Sequence, residues 1–547
     1  MPHTTRAGPL SAVLGLVLGC LALGPALGWG FILVQDMVFV PDPAFSRFTF
    51  GLADGAPRVV PSDAVVTALA TVVPAELVQK AILLGIFVLG CSGAALLVPS
   101  GLLGARLMAG AYYVWNPYVA ERLLMGQWAL LLGYAGLPWV VRAVLARRGL
   151  LLAVLPAAVG GFAAMTVTAL TALPVAGRRV RVGAVLLAVS LPWLLLALLR
   201  PGGLSGDPVG VDAFAARADG PFGAVGSLLS LGGIWNANAV PAGYETVVGS
   251  VARLALAVAG IVGFVLMRDR PRGLGAAAAI GFGIACLGVT EPGRAVFRWL
   301  VEVWGGFAVF RDAQQFVAPL ALLAAVGLGA LTREALTREA LTREALTREA
   351  LTREVLTREA PKREALTKEA GKAGRWAVLM VLVPVAVLPT LAWGGAGALR
   401  AVSYPESWSQ AREVMRRDPE PGDVLVLPFE SYRRFPWNGD RAVLDPAQRY
   451  FAVPGREVVA NDSVRVGSMV VQAEDKRVRE LERVLVGPSP DLAAAGFRYV
   501  VVDAGTPEER QRFAGWLSGA SLLVDTDELR LYRTDRRFVR FLQHSVR

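Results

Sequence analysis

The sequence predicts an α-helical polytopic membrane bundle of about eleven crossing helices, followed over 401–547 by a small extracytoplasmic α/β domain. Three observations predict it. Hydrophobic residues make up 54% of the 547, charged residues make up 18% against about 25% in ordinary soluble domains, and the mean hydropathy is +0.50. The apolar residues are blocked: Leu10 to Leu399 is mostly long apolar runs with short charged punctuation, whereas Ala401 onward is a mixed polar sequence. Arginines gather in the short segments between runs, as orientation by positive cytoplasmic loops requires. Uncharged runs of this length match a bilayer core, and they lack the alternation of barrel strands.

The elements follow in order. Leu10–Val34 comes after Arg6; it is too long for a signal peptide and has no small-x-small site before Gln35, so it reads as a retained first helix. A polar loop runs from Gln35 to Pro74, with an amphipathic stretch at Ala64–Val73. Helices follow at Glu76–Val98, Leu103–Trp115 and Trp128–Leu145. Leu150–Ala176 contains Gly160 and Gly161 and lies between two basic clusters, Arg142, Arg147 and Arg148 before it and Arg178, Arg179 and Arg181 after it. Both clusters face the cytoplasm only if this run crosses an even number of times, so a hairpin of two short helices is preferred to one long tilted helix. Val182–Leu199, Val247–Met267, Gly273–Thr290, Phe316–Leu331 and Trp376–Trp393 complete the set, with loops over Arg200–Glu245 and Glu291–Gln315. This count places the N-terminus in the cytoplasm and the tail outside the cytoplasmic membrane.

Residues 332–375 form a cytoplasmic spacer built on an LTREA repeat that starts at Leu331. Each Glu precedes an Arg by four residues, as in Glu334 and Arg338, the favourable order for helical ion pairs. A five-residue period turns about 140° per repeat, so the leucines spiral and form no coiled-coil stripe. The segment reads as a solvated, semi-rigid helix broken near Pro361, with a partner-binding arm as the alternative. In the tail, helices at Trp408–Arg417, Asp475–Val486 and Glu508–Leu517 alternate with strands at Asp423–Pro428, Tyr499–Val502, Leu522–Val524 and Leu529–Tyr532, which predicts the α/β domain.

Composition excludes several functions. The net charge is +11, but the arginines sit at helix ends and in the tail, with no basic patch interleaved with aromatics, so nucleic acid is not a partner. Cys20, Cys91 and Cys286 lie inside apolar runs, and His3 and His544 are the only histidines. No spacing supports a metal site, and no cofactor is assigned.

The candidate chemistry lies in the outer loops. Asp36 and the Glu121-Arg122 pair abut apolar helices, where an idle charge is costly. A carboxylate there suits a base toward an incoming hydroxyl, while Arg122, Arg298 and Arg311 can hold a phosphate through forked hydrogen bonds. Asp42, Asn116, Tyr118, Gln127, Trp235 and Asn236 supply polar and aromatic surface for a sugar or acceptor. The same residues also fit plain interfacial anchoring.

The stretches NPYVAERLLMGQWALLLGYAGLPW, GGIWNANAVP and FRDAQQFVAPLALL, with DVLVLPFESYRRFPWNGDRAVLDP in the tail, resemble an actinobacterial type of the C-type (GT-C) membrane glycosyltransferases. The likeness covers nearly the whole chain. It implies sugar transfer from a polyprenyl-phosphate donor to a glycan, glycolipid or protein acceptor of the cell envelope, at the outer face of the membrane lipid. The family's first-loop acid falls on Asp36 and its second-loop acid on Glu121. Many members pair two acids in the first loop; here Asp42 stands six residues beyond Asp36. A lipid or glycan transporter or flippase and a non-catalytic envelope-binding scaffold are the rival classes. Few charges in the spans and no visible inverted repeat weigh against transport.

Overall fold

The computed structural model describes residues 7–53, 57, 59–199, 204–357, 380–453, 455–487, 490, 492, 495–503 and 506–534. Arg6, His3, His544, the expected break at Pro361 and the expected helix start at Trp376 lie outside the described residues. In chain order the bundle helices are α1 (Ala7–Leu23), α2 (Ser62–Ala70), α3 (Ala75–Leu97), α4 (Leu103–Val114), α5 (Pro117–Leu124), α6 (Trp128–Ala146), α7 (Leu150–Val175), α8 (Arg179–Leu199), α9 (Val247–Leu266), α10 (Arg272–Leu287), α11 (Glu291–Val303) and α12 (Ala318–Thr357). Among the described residues seven helices are long and apolar enough to cross a membrane, or nine if two bent pairs each count as one span.

The first helix ends well before Val34. Gly24 adopts φ +47° and Pro25 lacks an N–H, so α1 gives way to a 3-10 turn, Gly24–Leu27. The chain then forms β1 (Phe31–Ile32), which pairs antiparallel with β2 (Ala401–Val402) at the entry to the tail. The exits of α1 and of the last apolar segment therefore meet at one end of the bundle. Close packing between helices rests on small residues. A Cβ on Gly15 of α1 would lie 2.6 Å from the Phe87 carbonyl of α3, and one on Gly327 of α12 would lie 1.7 Å from that of Gly260 in α9.

Helix α7 is interrupted at Gly161, where φ is 77° and ψ −152°. A Cβ built on Gly133 of α6 would lie 3.4 Å from Ala157 Cα and 3.3 Å from Ala164 Cα. Those two atoms are thus under about 7 Å apart, where an unbroken helix would separate them by about 10.5 Å. The arms 150–160 and 162–175 fold back toward each other at Gly161. After α10, the expected loop at Glu291–Gln315 is instead largely helical. Thr290 caps α11 with Pro292 in its first turn, and α11 is bent 94° from α10. Val296, Trp299 and Val303 form an exposed apolar stripe on it, while Phe297 and Val301 are buried, the pattern of a helix lying along an interface. The LTREA segment continues α12 as helix to Thr357, and Arg338 pairs with Glu334 at 2.9 Å.

The tail carries a five-stranded sheet in the order β10-β11-β9-β3-β6: β3 (Asp423–Leu427), β6 (Val458–Val459), β9 (Phe497–Val502), β10 (Ser521–Asp525) and β11 (Arg530–Arg533). β3 runs parallel to both β6 and β9, whereas β9, β11 and β10 are antiparallel. Alternate residues bury on opposite faces. Val424, Val426, Tyr499 and Val501 join the cluster of Trp408 and Met415 from α13 (Glu406–Arg417). Leu425, Leu427, Val500 and Val502 pack with Val478 and Leu481 of α14 (Lys476–Leu485) and Phe513 of α15 (Pro507–Trp516). Two hairpins went unrecognised in the sequence: β4 (Tyr432–Arg434) with β5 (Ala442–Leu444), and β7 (Val464–Val466) with β8 (Met469–Val471).

Candidate active site

Asp36 sits on a tight turn. Val34 and Met37 exchange backbone hydrogen bonds of 3.4 and 2.8 Å, and Gln35 between them adopts φ 45°. The turn is docked on two sides. Gln35 N–H donates to Ala442 O at 2.7 Å and Gln35 O accepts from Leu444 N–H at 2.7 Å, so the loop after β1 adds a short strand segment to β5 of the tail. Asp36 N–H donates to Met125 O at 3.1 Å. At Gly126, φ is +76°, and a Cβ would lie 2.4 Å from Met37 N and 2.5 Å from Val34 O, so only glycine lets the turn approach this closely. The Asp36 carboxylate accepts a hydrogen bond from the Tyr432 hydroxyl of β4.

Asp36 opens on a cavity of about 580 Å³ between the bundle and the tail, within the size range of small-ligand sites. Its walls differ in chemistry. Ala129 and Leu130 of α6, Phe162 and Ala163 of α7, and Trp193, Leu194 and Ala197 of α8 make an apolar side. Asp36, Gln127, Arg311, Asp312, Asp445 and Glu474 lie on a polar side, with Trp235 and Phe214 in the wall between loops. Arg311 is held by Glu474 at 3.3 Å and by Ala308 O, with its guanidinium 5.8 Å from the Phe214 ring. Arg449, on the same wall, pairs with Asp63 at 2.7 Å.

Four of the residues singled out in the sequence therefore line one cavity: Asp36, Gln127, Trp235 and Arg311. The others do not. Arg122 is buried behind the wall, donating to Asp312 at 2.9 and 3.2 Å and to Gln127 at 2.9 Å, and lying over the Tyr118 ring. It reaches the cavity through those partners. Asn116 caps α5, accepting from Val119 N–H at 3.1 Å, and its amide donates to Tyr112 O and Tyr113 O. Tyr118 stacks on Tyr134 and donates to Gln315 O at 3.0 Å. Asn236 caps its own turn and reaches Met125 Sδ at 3.5 Å. Arg298 is tied to Asp212 and Glu291 on α11, and Asp42 is paired with Arg412 at 3.0 Å with its side chain 82% exposed.

Glu121 is fully enclosed in α5, away from the cavity wall. Its Oε2 accepts from Ile234 N–H at 3.1 Å, and Asp219 accepts from Gly233 N–H. A point beside Gly232 lies 2.7 Å from Glu121 Oε1 and 2.6 Å from Asp219 Oδ2, so the two carboxyls abut. Burial pushes the Glu121 carboxyl well above the usual range, and the neighbouring Asp219 carboxyl adds to it. Asp219 is also raised by burial. Glu121 Oε1 has no hydrogen-bond partner among the described residues, and a proton shared by the pair would satisfy it. The pair pins the GGIW loop, and with it Trp235, against α5.

Tyr432, Asp445, Arg449 and Glu474 of the tail line the cavity but were not singled out as site residues in the sequence. Asp312 falls in the expected Glu291–Gln315 loop and in the FRDAQQFVAPLALL stretch, with no role assigned to it there. No protein-family model matches the chain, and no curated protein matches it. Among solved structures, the chain is similar to the crystal structure of ArnT from Cupriavidus metallidurans in the apo state. The two share 13% sequence identity with a TM-score of 0.42, and the match covers 97% of this chain and 98% of that one.

Proposed function

We propose that the chain is a GT-C-type membrane glycosyltransferase that moves a sugar from a polyprenyl-phosphate donor to an extracytoplasmic acceptor of the cell envelope. The observation that carries this reading is the two-sided cavity. Its apolar side, made by α6, α7 and α8, suits a prenyl chain, and its polar side, with Asp36 and Arg311, suits a sugar phosphate. In the reaction, the acceptor hydroxyl gives its proton to the Asp36 carboxylate as its oxygen bonds to the anomeric carbon. The bond from that carbon to the phosphate oxygen breaks, and its electron pair leaves on polyprenyl phosphate, with inversion at the carbon. Arg311 stabilises the charge growing on the leaving phosphate, and Gln127 and Trp235 contact the sugar or acceptor. Arg122 acts from behind, by holding Asp312 and Gln127 in place.

The same reading orients the chain. Counting each arm of α7, the short α4 and the two bent pairs as crossings gives about eleven, with the N-terminus cytoplasmic and the tail outside. The β1–β2 pairing at the mouth of the bundle supports this arrangement. The test is transfer by full-length protein in lipid nanodiscs, using labelled polyprenyl-phosphate sugars and envelope glycan, glycolipid or protein acceptors. Wild type forms a new glycosidic bond, and Asp36→Asn loses about 10²–10⁴-fold, the usual worth of a general base. Wild-type turnover by Asp36→Asn, or movement of label without any new bond, would sink the proposal.

A further inference from the structure

We propose that Tyr432, supplied by the tail, is a positioning residue for the Asp36 base, so that the soluble domain is a working part of the catalytic site. This rests on the glycosyltransferase reading above. The two residues are 396 positions apart in the chain, yet the architecture leaves their meeting little freedom. Tyr432 stands opposite Leu444 in the β4–β5 hairpin. Leu444 N–H in turn bonds Gln35 O. Tyr432, Leu444 and the Gln35-Asp36 turn therefore lie on three neighbouring strand segments. The phenol hydroxyl donates to Asp36 Oδ1, and both side chains border the cavity.

A hydroxyl donated to a carboxylate favours its ionised form and fixes its rotation. A base needs both properties: it must be ionised at working pH, and its lone pair must point at the acceptor hydroxyl. The tail also contains a comparison pair remote from the cavity. Tyr499 of β9 donates in the same way to Asp418, which is further held by Arg498 and Arg456. That pair joins α13 to the sheet and does not border the cavity.

The experiment compares wild type, Tyr432→Phe and Tyr499→Phe as full-length proteins in nanodiscs. Each phenylalanine keeps the ring and removes only the donor. The first readout is the pH at which a water-soluble carbodiimide labels Asp36 half-maximally, followed by peptide mass spectrometry. The second is the pH profile of kcat and KM for sugar transfer. Tyr432→Phe moves the labelling midpoint and the acidic limb of kcat upward together by about one pH unit, the size expected for one hydrogen bond to a charged group. KM stays within about twofold, because the donor contact is to the base and not to substrate. Tyr499→Phe moves neither. An unmoved midpoint and limb in Tyr432→Phe overturns the inference. So does an equal shift in Tyr499→Phe, which would mark a general loosening of the domain. Failure of the function reading looks different: the Asp36 midpoint still moves in Tyr432→Phe, but wild type forms no glycosidic bond.

Discussion

Replacing Arg122 with methionine separates a residue that touches substrate from one that holds the site. The Arg122 side chain is 3% exposed and that of Asp312 21%. Arg122 bonds both Asp312 oxygens and Gln127 Oε1, and it lies 5.3 Å from the centre of the Tyr118 ring. Methionine keeps most of the buried stem but leaves the Asp312 charge, among the described residues, with only a 3.4 Å contact from Gln127 Nε2. Breaking a buried ion pair on one side costs about 3–5 kcal/mol. Asp312 faces the cavity and regains some water, so Arg122→Met should cost about 3 kcal/mol, at the low end of that range. Asp312→Asn in the Arg122→Met background removes the stranded charge, and the double variant should recover at least about 1 kcal/mol of the loss. Denaturant titration of purified protein in mixed micelles, followed by tryptophan fluorescence, measures both. Should Arg122→Met unfold like wild type while sugar transfer disappears, the arginine acts on substrate directly and the supporting role assigned to it is wrong.

Three further outcomes follow from the same geometry. Glu121 is raised in the folded state, so its protonated form contributes stability that is complete below about pH 4 and is lost as pH rises through the raised value. Glu121→Gln should therefore match wild type in unfolding titrations at pH 4 and be the more stable protein at pH 9; a constant gap across that range argues against a shared proton. Gly126→Ala puts a side chain at φ +76° against Met37 N, which costs about 1–2 kcal/mol in backbone conformation alone and should lower transfer about a hundredfold by displacing the Asp36 turn. Near-wild-type transfer by that variant would show that the turn does not set the base. Arg298→Ala removes partly exposed pairs with Asp212 and Glu291, so stability should change by less than about 1 kcal/mol and transfer by less than about threefold; a complete loss of transfer would put Arg298 on the donor.

The apolar runs located the helices because membrane length and hydropathy are local properties. They also set the positions of α3, α6, α8 and α9 to within a few residues. The break at Gly161 was legible in the Gly160-Gly161 pair, together with arginine clusters on both sides that favour a hairpin over one long helix. The site residues that the structure places off the cavity did carry local signals. Asn116 before Pro117 is the signature of a helix cap with proline in the first turn, and Asn116 does that work. Glu291, Arg294 and Arg298 recur at helical spacing, and they ion-pair along α11 with Asp212 as a shared partner. The closure of the cavity was not legible. Gln35 meets Ala442, Asp36 meets Tyr432 and Arg122 meets Asp312 across hundreds of residues or nearly two hundred, and no local pattern encodes such pairings. Glu121 was read as reactive because a carboxylate beside apolar residues is costly. In the structure, burial and the neighbouring Asp219 carboxyl both favour the protonated form of Glu121; Asp219 lies in the Arg200–Glu245 loop but was not singled out in the sequence.

The proposed transfer requires a prenyl-linked sugar phosphate in the cavity between bundle and tail. Cryo-electron microscopy of the full-length protein in nanodiscs doped with a polyprenyl phosphate tests it most directly. Phosphate density beside Arg311 and chain density running along Phe162 and Trp193, whose rings touch each other, are expected. Lipid density confined to the outer surface of the bundle, with the Asp36 cavity filled by solvent, would contradict it.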